Sequence, residues 1–125
     1  MPSTRLARWR DSMQHALADY LQVPAHYEQL PGFYQAKRDF FLQAMSGSGL
    51  KPFFCRGTYF QLFDYSSLSD EPDTTFAKTL TTQYGVAAIP VSVFYSSGLD
   101  EKVIRLCFAK KTETLEAAAL RLQAI

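Results

Sequence analysis

The chain has 125 residues, of which 47% are hydrophobic and 20% are charged. This length and composition are typical of one globular domain with a single hydrophobic core. The formal net charge of +1 gives no reason to expect nucleic acid or an acidic membrane surface as a partner. No apolar run has the length of a membrane-spanning helix, and none resembles a signal peptide. We therefore expect a cytoplasmic protein without a membrane partner.

The first part of the chain is predicted to be helical. Residues 1–10 are basic and lack a clear apolar period, so we expect them to be frayed or weakly helical. From Asp11 a helical apolar period continues toward Pro24, which ends it because the residue before proline avoids the helical region. A second, long helix is predicted from near Pro31 to the Ser-Gly-Ser-Gly segment 46–49. This helix could pack on its own domain, connect domains or mediate dimerisation.

The middle of the chain contains a predicted strand and a predicted helix. Alternation favours a strand over residues 59–65, and a polar loop follows as far as Pro72. Asp73 is the expected N-cap of the next helix, and Gly85 is its expected end.

The last third of the chain is predicted to contain two strands and a helix. Residues 86–89 form a short apolar strand that Pro90 stops, and residues 91–94 continue as a loop or an edge. A turn at 96–98 leads into a strand at 103–108, and Thr112 is the expected N-cap of the final helix. The order α-α-β-α-β-β-α predicts an α+β fold, in which a small sheet carries helices on one side after a long helical arm.

The strand at 103–108 contains a single charged residue, Arg105. Alternation places Ile104, Leu106 and Phe108 on one face and Val103, Arg105 and Cys107 on the other. Both faces are otherwise apolar, so we expect the strand to be covered on both sides. A guanidinium that leaves water must be paired, and its planar fork matches a carboxylate. The partner is either a carboxylate of this chain, the commoner arrangement across strands, or a carboxylate of a ligand.

The cysteines and histidines give no sign of a reactive or metal-binding site. Cys55 and Cys107 lie among apolar neighbours without metal-ligand spacing, which predicts two reduced and buried thiols. His15 and His26 lie in a helical region, and their pattern is not typical of a zinc site or of an activated nucleophile.

Four segments between about residues 13 and 122 resemble the C-terminal part of class I/II aminotransferases, and most closely the methionine and kynurenine aminotransferase group. The segments are Ala16-Leu17-Ala18-Asp19-Tyr20, Gly57-Thr58-Tyr59-Phe60-Gln61-Leu62, Gly85-Val86-Ala87-Ala88-Ile89-Pro90 and Ile104-Arg105-Leu106-Cys107-Phe108-Ala109-Lys110. The last two, in this order and at this separation, are the specific signal.

The resemblance implies a pyridoxal phosphate enzyme that exchanges an amino group between an amino acid, of methionine or aromatic type, and a 2-oxo acid. Residues 12–125 would form the small domain with its linker helices, after an unmatched segment 1–11. By this resemblance Arg105 binds the α-carboxylate of the substrate, and the region Gly57–Phe60 borders the substrate pocket. The small domain can also close on the bound substrate and exclude water.

The sequence also departs from the family pattern, and by this resemblance we expect the large cofactor domain to be absent from it. The family's lysine motif, S-x-[ST]-K followed by G-x-R-x-G, has no counterpart, and Thr75-Phe76-Ala77-Lys78 is only its nearest imitation. We expect the isolated chain to have no catalytic residue, to bind no pyridoxal phosphate and to be inactive. Its uncovered apolar face, with part of the 33–45 helix, should drive self-association into a dimer or another homo-oligomer.

The sequence also allows two other interpretations of the function. The chain could be a stand-alone α+β binding or oligomerisation module without chemistry, in which Arg105 is paired internally. A ferredoxin-like nucleic-acid binder is disfavoured by the near-neutral charge and by the lack of a basic patch among aromatic residues.

Overall fold

The structure is a computed structural model that describes the backbone of residues 4–125 and the side chains of residues 8–125. The chain divides into two compact units, residues 1–33 and 34–125. No helix of the described part is long and apolar enough to cross a membrane.

The first unit contains helix α1 (Thr4–Leu21), the short helix α2 (Ala25–Glu28) and the beginning of α3 (Leu30–Ala44). Helix α1 includes residues 4–10, which were predicted to be frayed or weakly helical, and residues 1–3 lie outside the described part. Helix α1 ends before Pro24 and α3 begins near Pro31, as predicted.

The second unit is built on a four-stranded antiparallel sheet. Its strands are β1 (Lys51–Pro52), β2 (Phe60–Asp64), β3 (Ile89–Pro90) and β4 (Val103–Cys107), in the order β1-β2-β4-β3. The two long strands, β2 and β4, are central, and the register pairs Leu62 with Arg105. Arg105 is in turn paired with Ile89 of β3.

Helices α3, α4 (Asp73–Gln83) and α5 (Thr112–Leu122) contribute apolar side chains to one core with the sheet. The alternation of β2 and β4 sends every second side chain into this core, and α5 adds its i, i+4, i+7 stripe. The fully buried members include Phe41, Phe63, Tyr65, Leu80, Ile104, Phe108 and Leu122. The predicted α+β fold is therefore confirmed.

The starts of α4 and α5 differ from the prediction. Pro72 and Lys111 are the N-cap residues, and neither Asp73 nor Thr112 caps its helix. An N-cap needs extended backbone, which Pro72 (ψ 148°) and Lys111 (ψ 151°) have. Asp73 is the first helical residue, and its carboxylate points into the protein.

The predicted strand at 86–89 is shifted to Ile89–Pro90, so Pro90 takes part in the strand that it was expected to stop. The shift is possible because β3 is an edge strand, where a missing N–H breaks no ladder hydrogen bond. Two short 3₁₀ turns, Met45–Gly47 and Ser92–Phe94, complete the unit.

Candidate functional site

Arg105 lies in the middle of β4, on the face of the sheet that points away from the core. Ile104 and Leu106 are buried, whereas Arg105 is half-buried and Cys107 is exposed. The expectation that this strand is covered on both sides therefore holds at Val103, which is buried, and was wrong at Arg105 and Cys107. The reason is that the core side chains occupy one side of the sheet, and the Arg105 side is left open.

The guanidinium of Arg105 has no anionic partner in the described part of the chain. Among residues 8–125 the structure gives one ion pair, between Arg38 and Asp39, and it lies elsewhere. Two aromatic rings contact the guanidinium instead: Cζ lies 4.5 Å from the centroid of Phe60 and 5.4 Å from that of Phe94. The internal salt bridge that the strand pattern allowed is thus not formed by these residues.

A cavity of about 600 Å³ opens beside Arg105. Most of its wall is apolar, from the start of β2, the segment 85–89, β4 and α5. The charged residues that line it are Arg105, Lys110, Glu113 and Arg121. An apolar cavity with a few convergent polar groups is the ordinary form of a small-molecule site. The excess of cationic groups favours an anionic ligand.

The cavity wall at the end of α4 depends on Gly85. Its φ of 66° is in the left-handed region, which ends the helix and turns the chain into the segment 85–89. Arg121 of α5 donates a hydrogen bond from Nη1 to the Gly85 carbonyl at 3.1 Å and ties the two sides of the wall together.

The region Gly57–Phe60, which the resemblance placed at the substrate pocket, contributes two of its residues. Tyr59 and Phe60 line the cavity, and Gly57 and Thr58 do not. Lys78 is exposed on α4 and does not line the cavity.

The buried carboxylate of Asp73 holds the 3₁₀ turn Ser92–Phe94, which lies beside Arg105. This role of Asp73 was not predicted from the sequence. Asp73 accepts hydrogen bonds from the Ser92 backbone N–H at 2.8 Å and from Ser92 Oγ at 2.6 Å. The signal for this pair was present in the sequence only as an aspartate at a helix start, which ordinarily indicates a cap.

Both cysteines are free, as predicted, but they are not buried. Cys107 is exposed at the cavity, and Cys55 is half-buried. Burial acts to raise the pKa of the Cys55 thiol, but hydrogen bonds from Thr58 and Gly57 and the charge of Arg38 outweigh it, so the pKa is lowered.

The histidines lie in the first unit. His15 is exposed, and the His26 ring stacks on Tyr20 with its Nδ1 2.7 Å from the Tyr20 carbonyl oxygen. Among the described residues no group of three or more His, Cys, Asp and Glu side chains could hold a metal ion.

The sequence and structure are similar to those of known aminotransferases. The family model for aminotransferase class I and II matches residues 9–122. Methionine aminotransferase of Escherichia coli (strain K12) is 52% identical over 111 residues, which is 88% of this chain and 29% of that protein. Kynurenine–oxoglutarate transaminase 1 of Mus musculus is 37% identical over 115 residues, which is 81% of this chain and 27% of that protein.

Solved structures of aminotransferases share this fold, and two of them illustrate the similarity. YbdL from Escherichia coli, described with a methionine aminotransferase function, has a TM-score of 0.83 at 51% identity and covers 88% of this chain and 29% of its own. N-succinyldiaminopimelate aminotransferase from Mycobacterium tuberculosis has a TM-score of 0.80 at 32% identity and covers 89% and 29%. This chain therefore spans less than a third of each of these relatives. The match over residues 9–122 shows that the chain belongs to the class I and II aminotransferase family.

Proposed function

We propose that this chain supplies the site for the substrate α-carboxylate in a pyridoxal phosphate-dependent aminotransferase. The enzyme would exchange an amino group between an amino acid, of methionine or aromatic type, and a 2-oxo acid. One observation carries the proposal: the guanidinium of Arg105 lines an apolar cavity and has no carboxylate partner among the described residues. The methionine and kynurenine relatives support the substrate class.

The chemistry of Arg105 suits this role. A guanidinium keeps its charge at any physiological pH and offers parallel N–H donors that match the two oxygens of a carboxylate. Two such bonds fix the direction of the carboxylate and thereby the position of the adjacent Cα–H bond. Such positioning supplies a large share of the rate enhancement in reactions of bound substrates. The apolar wall, which includes Phe60 and Ile89, reduces the number of water molecules that can compete with the bound carboxylate for Arg105.

The residues at the cavity do not by themselves make a pyridoxal phosphate site. Such a site needs a lysine for the imine and a carboxylate or guanidinium at the pyridine nitrogen. The lining residues include one lysine, Lys110, and one carboxylate, Glu113, but the sequence before this lysine, Cys107-Phe108-Ala109, does not match the S-x-[ST]-K motif of the family. In our proposal the cofactor is held by the large domain of the enzyme, and this chain contributes only to substrate binding.

The domain arrangement follows from the same proposal. Residues 12–125 would form the small domain with its linker helices, after the segment 1–11, of which the family model matches only residues 9–11. The fraction of the relatives that the chain spans, 27–29%, is compatible with this division. The cytoplasmic location and the homo-oligomer expected from the sequence remain predictions, and the isolated chain would be inactive.

A chimeric enzyme tests the role of Arg105. In it, residues 9–122 of this chain replace the matching segment of the Escherichia coli methionine aminotransferase. Arg105→Lys keeps the charge but removes the fork, so we expect kcat/KM for methionine to fall about 10- to 100-fold, the value of a hydrogen bond to a charged group.

Arg56→Lys is the matched control, because Arg56 also lies over a phenylalanine ring, 5.1 Å from the centroid of Phe54, and does not line the cavity. It should leave kcat/KM unchanged. An active chimera with equal kcat/KM in both variants would contradict the proposed role of Arg105, whereas a chimera that binds methionine but does not turn it over would favour a binding module without chemistry.

A further inference from the structure

We propose that Asp73 and Ser92 act as positioning residues, which hold Phe94 against Arg105 so that the guanidinium is aligned before a carboxylate binds. The inference rests on the proposed function of Arg105 and deepens it. It connects a buried carboxylate at the start of α4 to the substrate site through one turn of the chain.

Asp73 is buried, and its side chain is 2% exposed. A buried carboxylate ordinarily pairs with a cation, but the described residues provide none within 4 Å. Both oxygens are instead used by Ser92, one by its backbone N–H and one by its hydroxyl. Both oxygens of the Asp73 carboxylate therefore accept hydrogen bonds from one residue, Ser92, and these bonds hold the 3₁₀ turn in place.

The turn Ser92–Phe94 is fixed by backbone hydrogen bonds as well as by Asp73. The Val91 N–H donates to the Val103 carbonyl of β4 at 3.3 Å, which ties the turn to the strand of Arg105. Within the turn, Phe94 N–H donates to the Val91 carbonyl and Tyr95 N–H to the Ser92 carbonyl, both at 3.1 Å. The turn is therefore held from α4 and from β4 at the same time.

The fixed turn places the ring of Phe94 beside Arg105. Its side chain is 63% exposed, so burial in the core does not explain its placement. Its ring centroid lies 5.4 Å from Arg105 Cζ, within the range of a cation–π contact. With Phe60 at 4.5 Å, two rings from separate elements restrict one long and otherwise flexible side chain.

An Arg105 side chain that is already aligned should bind a carboxylate more tightly. A free arginine loses rotamer entropy when it grips a ligand, and a pre-aligned arginine loses less. A cation–π contact uses the face of the guanidinium, whereas the hydrogen-bond donors lie in its plane. The rings can therefore orient Arg105 without competing with a carboxylate for its N–H groups.

NMR spectroscopy of the full chain, with the arginine side chains ¹⁵N-labelled, tests the inference. The Nε–Hε signal of Arg105 is assigned with Arg105→Lys, and pyruvate is titrated as the smallest 2-oxo acid. Phe94→Leu and Ser92→Ala should each shift this signal in the ligand-free chain, since a ring current is lost or displaced. They should also raise the Kd for pyruvate roughly two- to fivefold, the value of an exposed cation–π contact.

The controls separate positioning from general stability. Ser92→Thr keeps the hydroxyl and should restore both readouts toward those of the unmodified chain. Phe54→Leu removes the ring under Arg56 and should leave the Arg105 signal and the Kd unchanged. Phe94→Leu changes an exposed side chain, so the test does not depend on whether Ser92→Ala folds.

Each contrary outcome has a distinct meaning. If the unmodified chain binds no pyruvate, the inference is overturned, and the chimera with Arg105→Lys decides the proposed function separately. If the unmodified chain binds pyruvate and Phe94→Leu changes neither the signal nor the Kd, only the inference is overturned. A Ser92→Ala variant that raises the Kd while the Arg105 signal stays in place would also overturn it.

Discussion

Tyr65 shows how the position of one side chain sets its chemistry. The residue is completely buried, its ring stacks on Phe76 at 4.1 Å, and its hydroxyl donates to the Glu71 carbonyl at 2.7 Å. Burial raises the pKa of this phenol well above its ordinary value, and the carboxylates of Asp100, Asp73, Glu71 and Asp64 raise it further. The phenolate is therefore disfavoured in the folded state.

This shift predicts a loss of stability in alkali. The folded state holds the Tyr65 proton more tightly than the unfolded state, so the stabilisation is complete below the ordinary pKa of 10.0 and is lost as the pH rises above it. Tyr65→Phe should flatten this decline and cost about 0.5–1.5 kcal/mol at neutral pH, because the hydrogen bond to Glu71 is removed. Urea unfolding from neutral pH to about pH 11 measures both effects.

Tyr95→Phe removes a partly exposed phenol and serves as the control for alkaline effects elsewhere in the chain. It should keep the slope of the unmodified chain. Equal slopes for all three proteins above pH 10 would contradict the assignment to Tyr65.

Of the two residues on which our proposals depend, the sequence singled out Arg105 and gave no sign of the role of Asp73. Arg105 could be singled out because a lone charge interrupts an apolar strand, and that is a local pattern. Asp73 could not, since an aspartate at a helix start ordinarily indicates a cap, and only the fold brings Ser92 to its oxygens. The partner of a buried carboxylate is a tertiary fact that sequence spacing does not contain.

At the scale of elements, the end of α4 is the point at which a helix and the cavity wall depend on one residue. Gly85 has a φ of 66°, and a Cβ added there would lie 2.8 Å from Arg121 Nη1. The Arg121 guanidinium would then have to leave its hydrogen bond to the Gly85 carbonyl.

Gly85→Ala should therefore lower the free energy of unfolding by about 1 kcal/mol or more, from left-handed backbone strain and the displaced hydrogen bond. Gly57→Ala is the matched control, since an added Cβ there meets no atom within 4 Å and Gly57 is not among the positive-φ residues. Denaturant unfolding of both variants measures the difference, and equal stabilities would show that Gly85 is not needed for its conformation.

The elements that the sequence predicted well are those with strong local signals. The apolar period of α5, the alternation of β2 and β4 and the stop at Gly85 depend on neighbours in the chain. The pairing of Pro90 in β3 and the open side of β4 depend on which strand lies at an edge and where the helices pack. Alternation cannot distinguish a strand covered on both sides from one covered on a single side when an apolar residue such as Val103 lies on the open face.

At the scale of the whole molecule, apolar groups remain exposed around the proposed site. The register places Leu62, Arg105 and Ile89 side by side on the open face of the sheet, and Phe94 lies next to them. Ile89 and Phe94 are both exposed. Apolar surface of this kind beside a cationic group is typical of an interaction site.

Self-association through this open face is the prediction for the chain as a whole. Burial of one large apolar side chain is worth about 1.5–3 kcal/mol, so a few such side chains in a contact between two copies would favour a dimer at high concentration. Sedimentation velocity should show the dimer fraction rise with concentration, and the double variant Ile89→Ser/Phe94→Ser should shift the distribution toward the monomer. Leu120→Ser removes from α5 an apolar side chain that is about as exposed as Phe94, and it should not shift the distribution. A single monomeric species over the whole concentration range would contradict the prediction.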